Sequence, residues 1–172
     1  GQQCLQAAQA LVDSQNPSVR KAAVQALAEW PGSQPLPVLL ELAAQAPEES
    51  VRIIALRGAI RQVRLPARRS NAENAALLAK ALAAATRPEE KRAALAALAD
   101  FPCPESVALA ESLVGDAEVG AEAAEAVKKL KETKPLSFDF QPRGAPVMEG
   151  FREVNADTIY DEQRGYGWLE PP

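Results

Sequence analysis

The chain has 172 residues, enough for one domain of ordinary size or a domain with an appendage. It is 47 % apolar but only 5 % aromatic, so its core is built from small aliphatic side chains, and its net charge is −4. Histidine is absent, which excludes Ser-His-Asp and Cys-His catalysis, histidine-containing zinc sites and a histidine pH switch. The acidic balance argues against a general nucleic-acid binder. Two cysteines, Cys4 and Cys103, are too few for a disulfide framework or a zinc cluster. No apolar run reaches the roughly 18 residues of a transmembrane helix, and no signal peptide opens the chain. Gly1, standing where Met is expected, leaves room for a removed export signal.

In chain order, 2–14 carries apolar residues at three- and four-residue spacing and predicts a helix. A second helix follows from Asn16 to Pro31: Asn16 suits the N-cap, Pro17 the first turn, and Pro31 the stop. Residues 35–46, 71–86 and 104–114 repeat the first pattern, and Ser70-Asn71-Ala72-Glu73 is a capping box at the head of 71–86. The second pattern also recurs. Shifted by 71 residues it returns as Pro88, Ala93, Ala94, Ala97, Leu98, Ala99 and Pro102, with Trp30 becoming Phe101. Looser copies lie 32 residues on (Val51, Arg52, Ala55, Ala59) and 100 residues on (Val119, Ala123, Ala126, Val127). Steps of 30–40 residues with helical spacing predict a solenoid of four helix pairs in two close-packed layers. Trp30 and Phe101 are expected to plug the gaps beside the inter-pair turns, and Cys4 and Cys103 to be small buried fillers.

The segments Val19-Arg20-x-x-Ala23-x-x-Ala26-Leu27 and Val51-Arg52-x-x-Ala55 resemble the second helix of HEAT repeats. The third copy departs from that pattern with Glu90-Lys91, and the fourth with Gly120 at the basic position. The resemblance implies an all-α chain over 1–134, a right-handed α-α superhelix of four HEAT-like pairs. It further implies a scaffold or binding surface rather than an enzyme.

Residues 135–172 are of another kind: a short irregular or β-type tail. They hold six of the eight aromatics, five prolines and four glycines, and their 3 basic and 7 acidic residues account for the whole net charge. Residues 136–140 alternate as a strand does, and 151–154 and 158–160 are short extended segments between glycines. Phe138-Asp139-Phe140, Pro146-Val147, Gly150-Phe151, Val154, Thr158-x-Tyr160 and Gly165-Tyr166-Gly167-Trp168 resemble the opening of a galactose-binding-like β-sandwich. That resemblance implies a periplasmic or secreted, polysaccharide-related protein, with Tyr160, Tyr166 and Trp168 as candidates for sugar or interdomain contact. Two further readings stand beside it. One is a piece of a carbohydrate-active lyase, esterase or glycosidase whose catalytic domain lies outside this chain; the other is a cytoplasmic protein-binding adaptor.

Six arginines, Arg52, Arg57, Arg61, Arg64, Arg68 and Arg69, occur with no acid between Ser50 and Asn71. Arg57, Arg61 and Arg64 fall at i, i+4 and i+7, on one helical face. Together with Arg68 and Arg69 they are the candidate partner-binding residues, for a protein or adjoining domain, an acidic ligand or an anionic polysaccharide. Alternatively they bridge to acids on neighbouring helices, such as Glu29, Glu48, Glu49 or Glu90. Arg20, Arg52 and Lys91 share one repeat position and are expected to form an inter-repeat ladder. The stripe does not continue with interleaved aromatics, so nucleic acid is not an expected partner. The pairs Glu48-Glu49 and Glu89-Glu90 read as helix-start acids. Asn155, Asp157, Asp161 and Glu162 could offer oxygens to calcium but read as solvated turn residues. No cofactor, catalytic residue or metal ligand is assigned.

Overall fold

The chain divides into two units, Gly1–Thr133 and Lys134–Pro172. A computed structural model describes residues 2–132, 138–140, 142, 146, 152–161 and 166–168. Among them the first unit contains eight helices: α1 (Gln2–Ala10), α2 (Pro17–Ala28), α3 (Leu36–Gln45), α4 (Glu49–Val63), α5 (Asn71–Ala84), α6 (Pro88–Leu98), α7 (Pro104–Ser112) and α8 (Gly120–Glu132). They pack as pairs, α1 on α2, α3 on α4, α5 on α6 and α7 on α8. The second helices α2, α4, α6 and α8 touch in succession, and so do α3, α5 and α7, giving the two layers of an all-α helical-repeat array.

The helix ends follow from local chemistry. Asn16 Oδ1 accepts the Ser18 and Val19 N–H groups at 3.0 and 3.4 Å, and Pro17 takes the first turn, where no N–H is needed. Ser70 and Glu73 form the reciprocal capping box of α5. The first helix ends earlier than its pattern predicts. Beyond Ala10 the N–H groups of Leu11, Val12 and Ser14 reach back only three residues, a tighter turn in which the α spacing is lost.

Small residues let the layers close. Val24, Leu27, Leu39, Ala55, Leu78, Ala94, Leu98, Ala110 and Ala123 are fully buried in one continuous core. Each buried leucine contributes about 1.5–3 kcal/mol. One close approach is between α2 and α4, where a side chain at Gly58 would come within 2.4 Å of the Ala28 Cβ. Trp30 and Phe101 are both half-buried, and in pair two the same repeat position is Gln62, fully buried with its Nε2 donating 2.7 Å to the Leu27 carbonyl. The expectation for the cysteines needs correction. Cys4 is exposed rather than a buried filler; it lies on the short, weakly covered α1. Cys103 instead caps α7, its Sγ accepting the Ser106 N–H at 3.4 Å.

In the second unit β1 (Phe138–Phe140) pairs in parallel with β2 (Arg152–Val154), Phe138 facing Arg152 and Phe140 facing Val154 in register. Asn155 turns the chain beyond β2: its Oδ1 accepts the Asp157 N–H at 2.9 Å, and its N–H donates to the Thr158 hydroxyl. Trp168 is stitched to this turn by three hydrogen bonds, from its indole Nε1 to the Asn155 carbonyl, from its N–H to the Thr158 carbonyl, and from the Tyr160 N–H to its own carbonyl.

Candidate functional site

The repeat basic position is occupied as the ladder requires in two of its three rungs. The Arg20 guanidinium donates to the Ser14 carbonyl of its own pair and to Glu48, the N-cap residue of α4. The Lys91 ammonium reaches Asp116 at 3.1 Å and Glu118 at 3.3 Å ahead of α8. Those two acids hold the Lys91 pKa above its ordinary value. Arg52 breaks the series: among the described residues it donates to the Ala46 and Pro47 carbonyls of its own pair alone. The reason lies in the next cap. Where pair two has Glu48 and pair four Asp116, α6 has Arg87, a like charge that Arg52 cannot pair with.

A different joint takes the place of that rung. Glu90 sits at the repeat position held by Val19, Val51 and Val119 in the other pairs, and its side chain is 2 % exposed. Arg87 grips it through Nε (2.9 Å to Oε2) and Nη2 (3.0 Å to Oε1). Arg57 reaches over from α4 through Nε at 3.1 Å and Nη2 at 3.0 Å. Burial alone would raise the carboxyl pKa; the two guanidiniums outweigh it and hold Glu90 below the ordinary carboxylate value.

Next to this joint lies a groove of about 420 Å³ between α4 and α6. Ile60, Leu65, Ala93 and Ala96 form its apolar floor, with Arg57, Arg61 and Arg64 around it. The exposed alanines Ala93 and Ala96, a turn apart on α6, keep it open. Its three arginines are not equivalent. Arg57 is committed to Glu90. Arg64 holds Asp100 at 2.6 Å, and Asp100 also accepts from Lys129 of α8 at 3.0 Å. Arg61 spends only Nη1, on the Ala28 and Trp30 carbonyls at the end of α2, at 3.2 and 3.1 Å. The lining of the groove carries three arginines and no acid, and two of the three, Arg57 and Arg64, are paired with Glu90 and Asp100 at its margin. Burial raises the Asp100 pKa less than Lys129 and Arg64 lower it, so its carboxyl also lies below the ordinary value.

The structure therefore brings Arg57, Arg61 and Arg64 together and leaves the other two out. Arg69 folds onto the Gln62 and Val63 carbonyls and Asn74 Oδ1, and Arg68 is exposed in the loop after α4. Sequence reasoning missed Asp100 and Lys129, which hold Arg64 beside the groove. The signal was present: the shifts of 32, 71 and 100 put Glu29, Arg61, Asp100 and Lys129 at one repeat position, with alternating charge.

In the second unit Tyr160 is exposed, Tyr166 lies under the Arg152 guanidinium at 5.4 Å, and Trp168 packs 6.1 Å from the Phe140 ring. Asn155 Oδ1, one of the oxygens considered for calcium, is taken up by the Asp157 N–H and the Thr158 hydroxyl, while Glu162 lies outside the described residues. Among the described residues no group of three acidic or cysteine side chains is arranged to hold a metal, and no helix is long and apolar enough to cross a membrane.

Residues 2–70 match the family model for HEAT repeats. With the helix pairing of α1–α8, that match establishes a HEAT-like helical repeat, a kind of structure that generally binds proteins and is generally non-catalytic. No curated protein and no solved structure matched the chain.

Proposed function

We propose that the chain is a non-catalytic interaction scaffold that presents the α4–α6 groove to an acidic segment of a protein partner. The observation that carries this reading is the charge imbalance around the groove, with Arg61 turned to backbone carbonyls instead of a carboxylate. A rigid row of second helices holds that charge in place before any partner arrives, which lowers the ordering cost of binding. Calorimetric titration with polyglutamate at two salt concentrations tests it. Binding that weakens with salt and is lost in an Arg61→Gln/Arg64→Gln double variant is the expected result. Arg57 is left in place there because Glu90 depends on it. Salt-insensitive binding, or binding unchanged in the double variant, contradicts the reading.

A second reading places the scaffold in an exported, polysaccharide-related protein, either as a spacer or beside a catalytic domain outside this chain. Its support is the Phe138-to-Trp168 pattern of the second unit and the exposure of Tyr160. Binding of neutral and uronate oligosaccharides to the full chain, reduced by Tyr160→Ala, is what that reading expects; no binding of either removes it.

A further inference from the structure

We infer that the occupant of the α4–α6 groove is a peptide segment that sets a carboxylate beside an aliphatic side chain, and that Arg61 is the residue that reads the carboxylate. This rests on the scaffold reading above and names its partner more closely.

Three features point to it. The first is the state of the Arg61 fork. Nη1 is anchored on the Ala28 and Trp30 carbonyls, whereas Nε and Nη2 make no hydrogen bond among the described residues. A guanidinium fixed on one side with free N–H donors on the others is ready for a carboxylate, and planar donors favour a two-oxygen acceptor. Arg57 and Arg64, by contrast, already hold Glu90 and Asp100.

The second is the floor. Ala93 and Ala96 are exposed and Leu65 half-exposed in the same lining as Arg61, over the buried Ile60. Seating a leucine or isoleucine there removes apolar surface from water on both sides, a gain that a carboxylate alone does not bring.

The third is the length of the basic surface. The neighbouring α6–α8 groove, about 390 Å³, is lined by Glu122 and Glu125 as well as Arg92 and Lys129. The charge surplus therefore stops at α6. A long polyanion, whether polysaccharide or nucleic acid, gains from a continuous basic track and would meet two acids one helix further on. A short acidic-aliphatic segment fits within the surplus.

The test uses the full chain and fluorescence anisotropy with three probes: a synthetic peptide of about twelve residues alternating glutamate pairs with leucine, the same peptide with serine for leucine, and polygalacturonate. The leucine peptide is expected to bind about tenfold more tightly than the other two. Arg61→Gln is expected to lose about tenfold on that peptide, and Arg61→Lys, which restores the charge without the fork, not to recover it. Ala93→Asn, an exposed helix-surface change that makes the floor polar without adding charge, is expected to weaken the leucine peptide more than the serine peptide. Equal binding of all three probes, still weakened by Arg61→Gln, overturns this inference while the acidic-groove reading stands. Binding of any probe that ignores Arg61→Gln and Ala93→Asn alike overturns both.

Discussion

Glu90 shows how one substitution reorganises a repeat. At the equivalent positions Val19, Val51 and Val119 need nothing from their neighbours, whereas a carboxylate buried to 2 % exposure needs both Arg57 and Arg87. Glu90→Val restores the repeat residue and leaves two arginines whose side chains already reach solvent, so stability at neutral pH is expected to change by no more than about 1 kcal/mol, far less than the roughly 3–5 kcal/mol lost when one partner of a fully buried pair is removed. The pH dependence separates this from simple repacking. Because its folded pKa is lowered, Glu90 contributes stability that is present above the ordinary carboxylate value near 4.5 and is lost as pH falls through that value towards the folded one. Denaturant titrations from pH 7 to pH 3 are expected to show a shallower acid loss in Glu90→Val than in the unaltered chain; parallel curves would contradict the role given to this group. The departure Glu90-Lys91 was legible in the sequence. A bridge from the arginine run to Glu90 was also among the alternatives; what the sequence did not show is that Arg57 and Arg87 grip it together, because the repeat register alone does not say which side chains turn inward.

At the scale of elements, most helices announce themselves. Asn16, the Ser70-to-Glu73 box and the prolines at helix starts mark ends that the structure keeps, since each satisfies or dispenses with a backbone N–H that has no helical partner. What local chemistry leaves out is the seam between helices. Gly58 stands where the other pairs have Ala26, Ala97 and Ala126, and nothing in its helix asks for glycine. Its cause is Ala28 on α2, whose Cα would lie 2.6 Å from an added Cβ. Gly58→Ala gains up to about 1 kcal/mol of helix propensity, yet overpacking of this kind costs about 1–3 kcal/mol. A lower thermal midpoint is expected; a higher one would mean that α2 and α4 can part without penalty. The missing Arg52 rung is a second seam effect. In Glu90→Val/Arg87→Asp, the α6 N-cap gains an acid that can cap the helix and accept from Arg52, worth about 1 kcal/mol as a cap. The double variant is expected to melt above Glu90→Val alone, and an equal or lower midpoint would deny the rung.

For the whole molecule, periodicity carried the architecture. Copies spaced by 32, 39 and 29 residues can bury their small apolar faces only by stacking, so the array of four pairs followed from the register. Function is less legible, because it lies in what stacking leaves unmatched. The arginine stripe was visible as a run, but five of its members are distributed among a carboxylate clamp, a shared Asp100, backbone carbonyls and an exposed loop, and only the assembled structure separates Arg61 from them. In the second unit the parallel strand pair and the Trp168 stitching depend on contacts that no local pattern announces.

The most direct measurement is amide hydrogen exchange of the full chain with and without the glutamate–leucine peptide. Added protection is expected in the second half of α4 and in α6, around Arg57–Leu65 and Ala93–Asp100, with α3 and α5 unchanged. Protection gained instead along α3 and α5, around Leu40 and Leu77, would put the binding surface on the opposite layer and contradict that expectation.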